Sequence, residues 1–304
     1  MKVLLTGATG FLGKNLKARL SLSHDVVGVG SEWDLRSQDV CQRLISKCEP
    51  DAVIHAAGSV GGIGANQDNP GKFVYENLIM GTNVIHTSME QKVSKFVLLG
   101  TVCAYPKHTE VPFKEKDIWN GYPEETNAPY GIAKKALMQM VQSYNEQYDF
   151  NGVNLIPVNM YGPHDHFNLT SSHVIPALIL KIHNAIKNNE DQITIWGTCN
   201  ASREFLFAED CAEAILLALE KDIPPDPINI GTGKEIKIKD LVQMIADMMG
   251  FQGIIRCDET KPDGQPRRCL DTSRAKELLG FEAETNLSEG LSKTITWFLQ
   301  NGGE

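Results

Sequence analysis

The stretch APYGIAKKALMQM places Tyr130 and Lys134 four residues apart. On a helix that spacing stacks both on one face. A lysine ammonium beside a phenol favours the phenolate and lowers its pKa from about 10 toward neutral. Tyr130 would then act as a general acid at a carbonyl oxygen. By itself the spacing is common by chance, and an exposed helix pair is the better reading. A second stretch adds to it: KFVLLGTVCAYP runs as a buried strand into Thr101, with Cys103 two residues later. A hydroxyl there can hydrogen-bond the same carbonyl oxygen, giving a Thr–Tyr–Lys set suited to carbonyl reduction. The thiol has no part in that set, and a cysteine behind a strand is, taken alone, a packing residue.

These groups need a frame. KVLLT (2–6), DVVGVG (25–30), DAVIHAA (51–57), KFVLLG (95–100) and GVNLIPV (152–158) are apolar on both faces, as strands between two helix layers must be. Helix-compatible segments at 11–21, 38–48, 72–89 and 130–148 lie between them. The alternation predicts an α/β fold, a Rossmann-like doubly wound parallel sheet with right-handed crossovers. LLTGATGFLG puts Gly7, Gly10 and Gly13 between the first strand and first helix. There the backbone can approach a pyrophosphate, with helix N–H groups facing the anion. A glycine-rich turn without a ligand is the alternative, and the strand–turn–helix context favours the dinucleotide. The second strand ends at Gly30, where Asp or Glu would bind a ribose hydroxyl. Gly28, Gly30 and Ser31 leave that position uncharged, which leans toward NADP, and no Arg follows directly. Asp34 in WDLRS either bonds the adenine amino group or caps the next helix.

After about residue 160 the rhythm breaks. YGPHDHFNLTSSH reads as a loop, VIPALILKIHNAI as a helix, QITIWG, REFLF and PINIG as strands, and DETKPDGQPRR as a loop. A smaller α/β C-terminal domain for substrate (161–204 and 233–304) is expected beside the dinucleotide domain (1–160 plus about 205–232), with a cleft between.

A chain of 304 residues can bury a full core, and 42% apolar with 22% charged residues is ordinary globular composition. A net charge of −9 argues against a nucleic-acid partner. No apolar run approaches the roughly 18 residues that span a bilayer, so no membrane partner is expected. Seven scattered cysteines without a CxxC pair suit free thiols in a reducing, cytoplasmic compartment and give no zinc spacing.

With Thr101, Tyr130 and Lys134, the glycine pattern resembles the extended short-chain dehydrogenase/reductase superfamily, whose members act on nucleotide sugars. HAAGSVGGIGANQDNPGKFVYENLIMGTNVIH, GTVCAYPK, NAPYGIAK, NMYGPHDHFN, SSHVIPAL, REFLFAED, INIGTG and KPDGQPRR resemble the GDP-L-fucose synthase family, over about residues 2 to 300. The resemblance implies NADPH-dependent epimerisation at C3 and C5 of GDP-4-keto-6-deoxymannose, then reduction at C4, by a homodimer formed through helices 72–89 and 130–148. Colitose- or deoxyheptose-type reductases, epimerising at one carbon or none, are the nearest alternative. A non-catalytic dinucleotide sensor is a remote one, since the Tyr and Lys it would lose are both present.

The resemblance also implies roles. Cys103 and His173 serve as base and acid of the epimerisation, and Lys134 also holds the nicotinamide ribose. His173 is expected near a helix N-terminus, where the dipole disfavours imidazolium. Cofactor contacts are implied for Gly7, Thr9, Gly10, Phe11, Leu12, Gly13, Asp34, Ala56, Ala57, Gly58, Leu99, Gly100, Pro157, Asn159 and Met160, with Tyr130, Lys134 and His173. Asn159, Lys181, Trp196, Arg203 and Asp263 correspond to substrate contacts. Arg203 would grip the diphosphate or, locally, pair with Glu204 or Asp210; Trp196 equally suits a core. No metal is implied, and HDH (164–166) reads as a loop shaping the cleft. Two departures stand out: Thr101-Val102 where the family usually has Ser-Ser, and Thr9 where a basic residue often stands.

Overall fold

A computed structural model of the chain describes residues 1–169, 171–261 and 263–301. The first half alternates as the apolar runs predict: β1 (Lys2–Thr6), α1 (Phe11–Leu20), β2 (Asp25–Val29), α2 (Gln38–Cys48), β3 (Ala52–His55), α3 (Ile63–Asp68), α4 (Pro70–Glu90), β4 (Lys95–Leu99), α5 (Ala128–Tyr148) and β5 (Gly152–Pro157). There follow β6 (Asn159–Tyr161), α6 (Val174–Lys187), β7 (Gln192–Trp196), β8 (Ser202–Phe207), α7 (Ala208–Glu220), β9 (Ile228–Ile230), β10 (Glu235–Lys237), α8 (Ile238–Met249), β11 (Ile254–Asp258), α9 (Ser273–Leu279) and α10 (Leu287–Asn301).

Six strands form one parallel sheet in the order β2-β1-β3-β4-β5-β9. Strands β3, β4, β5 and β9 are buried throughout, because helices cover both faces. The chain leaves β1 to one side for β2 and returns to the other for β3. That reversal opens a crevice at the carboxyl ends of β1 and β3, where doubly wound sheets bind ligands. A second apolar cluster, including Ile179, Ile182, Leu241, Ile245 and Phe298, lies apart from the sheet's own core. Among the described residues no helix is long and apolar enough to cross a membrane.

The expected loop DETKPDGQPRR is preceded by β11, which pairs in parallel with β7 and is largely exposed, so it carries no apolar run. This pairing corrects the expectation of free thiols. It sets Cys257 opposite Ile195, and Cys257 forms a disulfide with Cys199, Cα atoms 6.0 Å apart. The other five cysteines are thiols.

His55 ends β3 fully buried, its Nδ1 hydrogen-bonded to Thr6 Oγ1 at 2.9 Å. Burial first, and the Lys134 charge second, lower its pKa to about 3. The folded chain therefore keeps His55 neutral while the unfolded chain protonates it below about 6.5. Stability is full above that pH and falls as pH drops toward 3. In urea titrations from pH 6.5 to 4, His55→Gln should remove about 1.4 kcal/mol per pH unit of that slope. An unchanged slope would assign the acid sensitivity to other groups.

Candidate active site

A cleft of about 860 Å³ takes wall residues from both apolar clusters, Leu12 and Leu99 from one, Ile175 and Phe205 from the other. At one end, Gly7 adopts φ +73°, and a Cβ there would lie 2.7 Å from the Ala57 backbone nitrogen. Only glycine lets the turn after β1 pass so close to the chain leaving β3. Gly10 is the N-cap of α1 and offers no side-chain hydrogen bond, so the helix's first N–H groups are not capped by a side chain. All the residues expected to touch the cofactor, from Gly7, Thr9, Gly10, Phe11, Leu12 and Gly13 to Ala56, Ala57, Gly58 and Met160, line this cleft.

The turn after β2 differs from its expected uncharged state. Glu32 folds back to accept the Gly30 N–H at 2.8 Å. Asp34 does not cap α2, whose N-cap is Ser37; it accepts from Arg36 Nε at 2.8 Å and from Nη2 at 3.0 Å. Arg36 also donates to Glu76 at 3.1 Å, and both Arg36 and Asp34 line the cleft. The sequence pattern passes over Arg36 because it stands six residues past Gly30 rather than next to it.

Farther along, β4 delivers Leu99 and Gly100 to a short 3-10 turn, Val102–Ala104. Thr101 caps that turn, its Oγ1 accepting the Cys103 N–H at 3.2 Å. Helix α5 lies against this turn at Gly131, where a Cβ would come within 2.3 Å of the Cys103 carbonyl oxygen. The close approach carries Tyr130 and Lys134 to the same wall as Thr101 and Cys103.

The phenol is not lowered by its lysine as expected. Burial pushes the Tyr130 pKa up, the Cys103 charge adds to the rise, and the Thr101 hydroxyl opposes it. Lys134 is buried and donates instead to the Leu99 carbonyl at 3.0 Å. Burial lowers the Lys134 pKa to about 8. Tyr130 is thus held as the protonated phenol, the form that can donate a proton.

His173 occupies the N-cap position of α6 and lines the cleft. Its pKa is lowered as expected, by partial loss of water around the ring within the cleft although the residue is exposed, then by Arg268 and His166. The HDH motif does not shape the cleft. His164 packs edge-on against Trp297 with ring centroids 5.0 Å apart, and His166 bonds Ser171 at 3.1 Å. Asp165 is buried, which raises its carboxyl to about 7.

Arg203, which also lines the cleft, pairs with neither Glu204 nor Asp210. It donates to the carbonyls of Ser202 (2.7 Å) and Asp263 (2.8 Å), and burial lowers its pKa to about 10. Both Asp263 carboxylate oxygens are held by Thr198, at 2.8 Å each, so Asp263 fastens its loop. Trp196 is 51% exposed and faces the cleft with Lys181, not a core. Asn159 and Pro157 close the floor, and Asn159 Nδ2 donates to the Glu204 carbonyl at 2.9 Å. Arg268, the last residue of the KPDGQPRR run, also reaches this cleft. Nothing in its spacing marks it.

The family model for NAD dependent epimerases/dehydratases matches residues 3–231. The chain belongs to that epimerase/dehydratase family. Within the family it is 39% identical over 303 residues to a GDP-L-fucose synthase of Sinorhizobium fredii, covering 99% of this chain and 96% of that one. It is 37% identical to a GDP-L-colitose synthase of Yersinia pseudotuberculosis, covering 98% of each. Among solved structures, a GDP-L-fucose synthetase from Naegleria fowleri bound to NADP superposes with a TM-score of 0.89 at 28% identity, covering 99% of this chain and 94% of that one.

Proposed function

We propose that this epimerase/dehydratase inverts C3 and C5 of GDP-4-keto-6-deoxy-D-mannose and reduces C4 with NADPH, giving GDP-L-fucose. The observation that carries the reading is that Thr101, Cys103, Tyr130, Lys134 and His173 all face one cleft. Reduction alone would need no thiol and no second proton carrier.

The cleft's residues suit the cofactor. The Gly7 turn leaves room for a diphosphate, Lys134 lies beside the Leu99 carbonyl where it can hold a ribose, and Arg36 offers a cation for a 2′-phosphate. NADPH, when bound, supplies the hydride for C4. Tyr130 donates a proton to the C4 oxygen as it gains charge, and Thr101 hydrogen-bonds that oxygen. Cys103 removes the acidic protons next to the ketone. His173 returns protons on the opposite face, leaving inverted carbons. Arg203 takes the diphosphate with its forked guanidinium, aided by Lys181 and Trp196 along the wall, and Asp263 keeps its loop in place.

The reading includes a cytoplasmic homodimer packed through α4 and α5, which leave Tyr75 and Tyr148 exposed. It takes residues 1–160 with about 205–232 as the cofactor domain and the remainder as the substrate domain.

Incubation with the keto-sugar and either NADPH or NADH tests the function. NADPH should be consumed and the product should be inverted at both carbons by NMR. Inversion at one carbon or none would replace this reading with the colitose- or heptose-type reaction. In the same assay Arg36→Ala should raise KM for NADPH about tenfold, as expected for one charge-assisted contact, and leave KM for NADH unchanged. An equal rise for both cofactors would remove Arg36 from the 2′-phosphate.

A further inference from the structure

Arg268 is a buried guanidinium at the cleft wall, and its setting gives it a specific partner. The segment that carries it is docked on the loop that carries Cys103. Gln265 Nε2 donates to the Lys107 carbonyl at 3.0 Å, and the Phe113 N–H donates to the Cys269 carbonyl at 2.8 Å. Behind the segment, the buried Glu204 carboxylate accepts from the N–H groups of Leu270 (2.6 Å) and Gly233 (2.8 Å). From this seat Arg268 Nε donates to Gln265 Oε1 at 3.3 Å. Its Nη1 donates to Asn159 Oδ1 at 3.4 Å and to Cys103 Sγ at 3.6 Å.

None of these three partners is a carboxylate, and Arg268 makes no ion pair among the described residues. A guanidinium taken out of water without an anion is costly to hold. Of the atoms it touches, the Cys103 sulfur alone can become anionic. Arg203 on β8, a second buried arginine lining the cleft, donates to two carbonyls and brings no anion.

We infer that Arg268 is the positioning residue of the epimerisation, holding the Cys103 sulfur as thiolate and aimed into the cleft. The inference rests on Cys103 being the carbon base. The thiolate is the reactive form of a cysteine, and a cation beside it favours that form. The planar fork allows Nη1 to meet the sulfur while Nε stays fixed on Gln265. In the step served, a C–H bond next to the ketone breaks and an S–H bond forms. The electron pair passes into the enediolate, and His173 delivers a proton to the other face. One proton is taken and one is given, with no change of oxidation state.

The test is alkylation of Cys103 by iodoacetamide, followed on the Cys103 peptide by mass spectrometry, at pH 7 and pH 10. The other groups that face the pair, Tyr130 on α5, His173 at the start of α6, Lys134 and Arg203, are unchanged between the wild type and the Arg268 variants. Arg268→Met should slow alkylation at pH 7 about tenfold, the effect of losing one adjacent charge, and leave the rate at pH 10 unchanged. Arg268→Lys should restore most of the pH 7 rate, and Arg268→Gln is the substitute if the Met variant does not fold. Equal rates at pH 7 overturn the inference. So does slowing at both pH values, which would mean altered access. A rise in KM for the GDP-sugar with unaltered alkylation would make Arg268 a substrate contact instead. Should Cys103→Ser keep wild-type deuterium uptake at C3 and C5, the base assignment itself fails, whatever the alkylation shows.

Discussion

Cys103→Ser is expected to lose deuterium uptake from D₂O at C3 and C5 by about 10²- to 10⁴-fold, the usual contribution of a positioned base. A serine hydroxyl keeps the shape of the side chain but is far too weak an acid to exist as the anion near neutral pH. The backbone should hold, because the Cys103 N–H, not its sulfur, bonds the Thr101 hydroxyl. NADPH oxidation should continue, since Thr101, Tyr130 and Lys134 are untouched, and the product should then retain its original configuration at both carbons. Uptake at the wild-type rate would take the base role away from Cys103.

Tyr130→Phe should give the opposite pattern. NADPH oxidation should drop by about 10²- to 10⁴-fold, while deuterium still enters C3 and C5. Burial raises the phenol's pKa, so under the proposed chemistry the wild-type protein has a proton ready for the C4 oxygen. Phenylalanine fills the space and offers none. Thr101 would remain as a hydrogen-bond donor, which accounts for residual turnover. If the variant reduces the keto-sugar at the normal rate, the proton comes from elsewhere. The two variants together separate the reactions, because each should damage one readout and spare the other.

The sheet was readable because its inner strands are buried on both faces and therefore appear as unbroken Val, Leu and Ile runs. The glycine turn was readable for a related reason: Gly7 meets a backbone constraint that no other residue satisfies. Strand β11 was hidden because it is largely exposed, and with it went the Cys199–Cys257 bond, which depends on a pairing far apart in sequence. The direction of the Tyr130 shift was also out of reach. Spacing places Lys134 on the same helix face, but only the packed fold shows its ammonium turned toward the Leu99 carbonyl. Arg36 and Arg268 follow the same rule. Their types are visible in the chain, while their use is decided by what the loops bring next to them.

Gly131 leaves the tyrosine helix and the cysteine turn no room to slide, since any side chain there would strike the Cys103 carbonyl. Thr101, Cys103, Tyr130 and Lys134 are therefore mounted on one block, to which α6 brings His173. Under the proposed chemistry the moving part is the sugar. Its ring has to present C3, C5 and C4 in turn to stationary groups, pivoting about an anchored diphosphate. The sequence of events is then written in the ring's successive poses and not in a hinge of the protein.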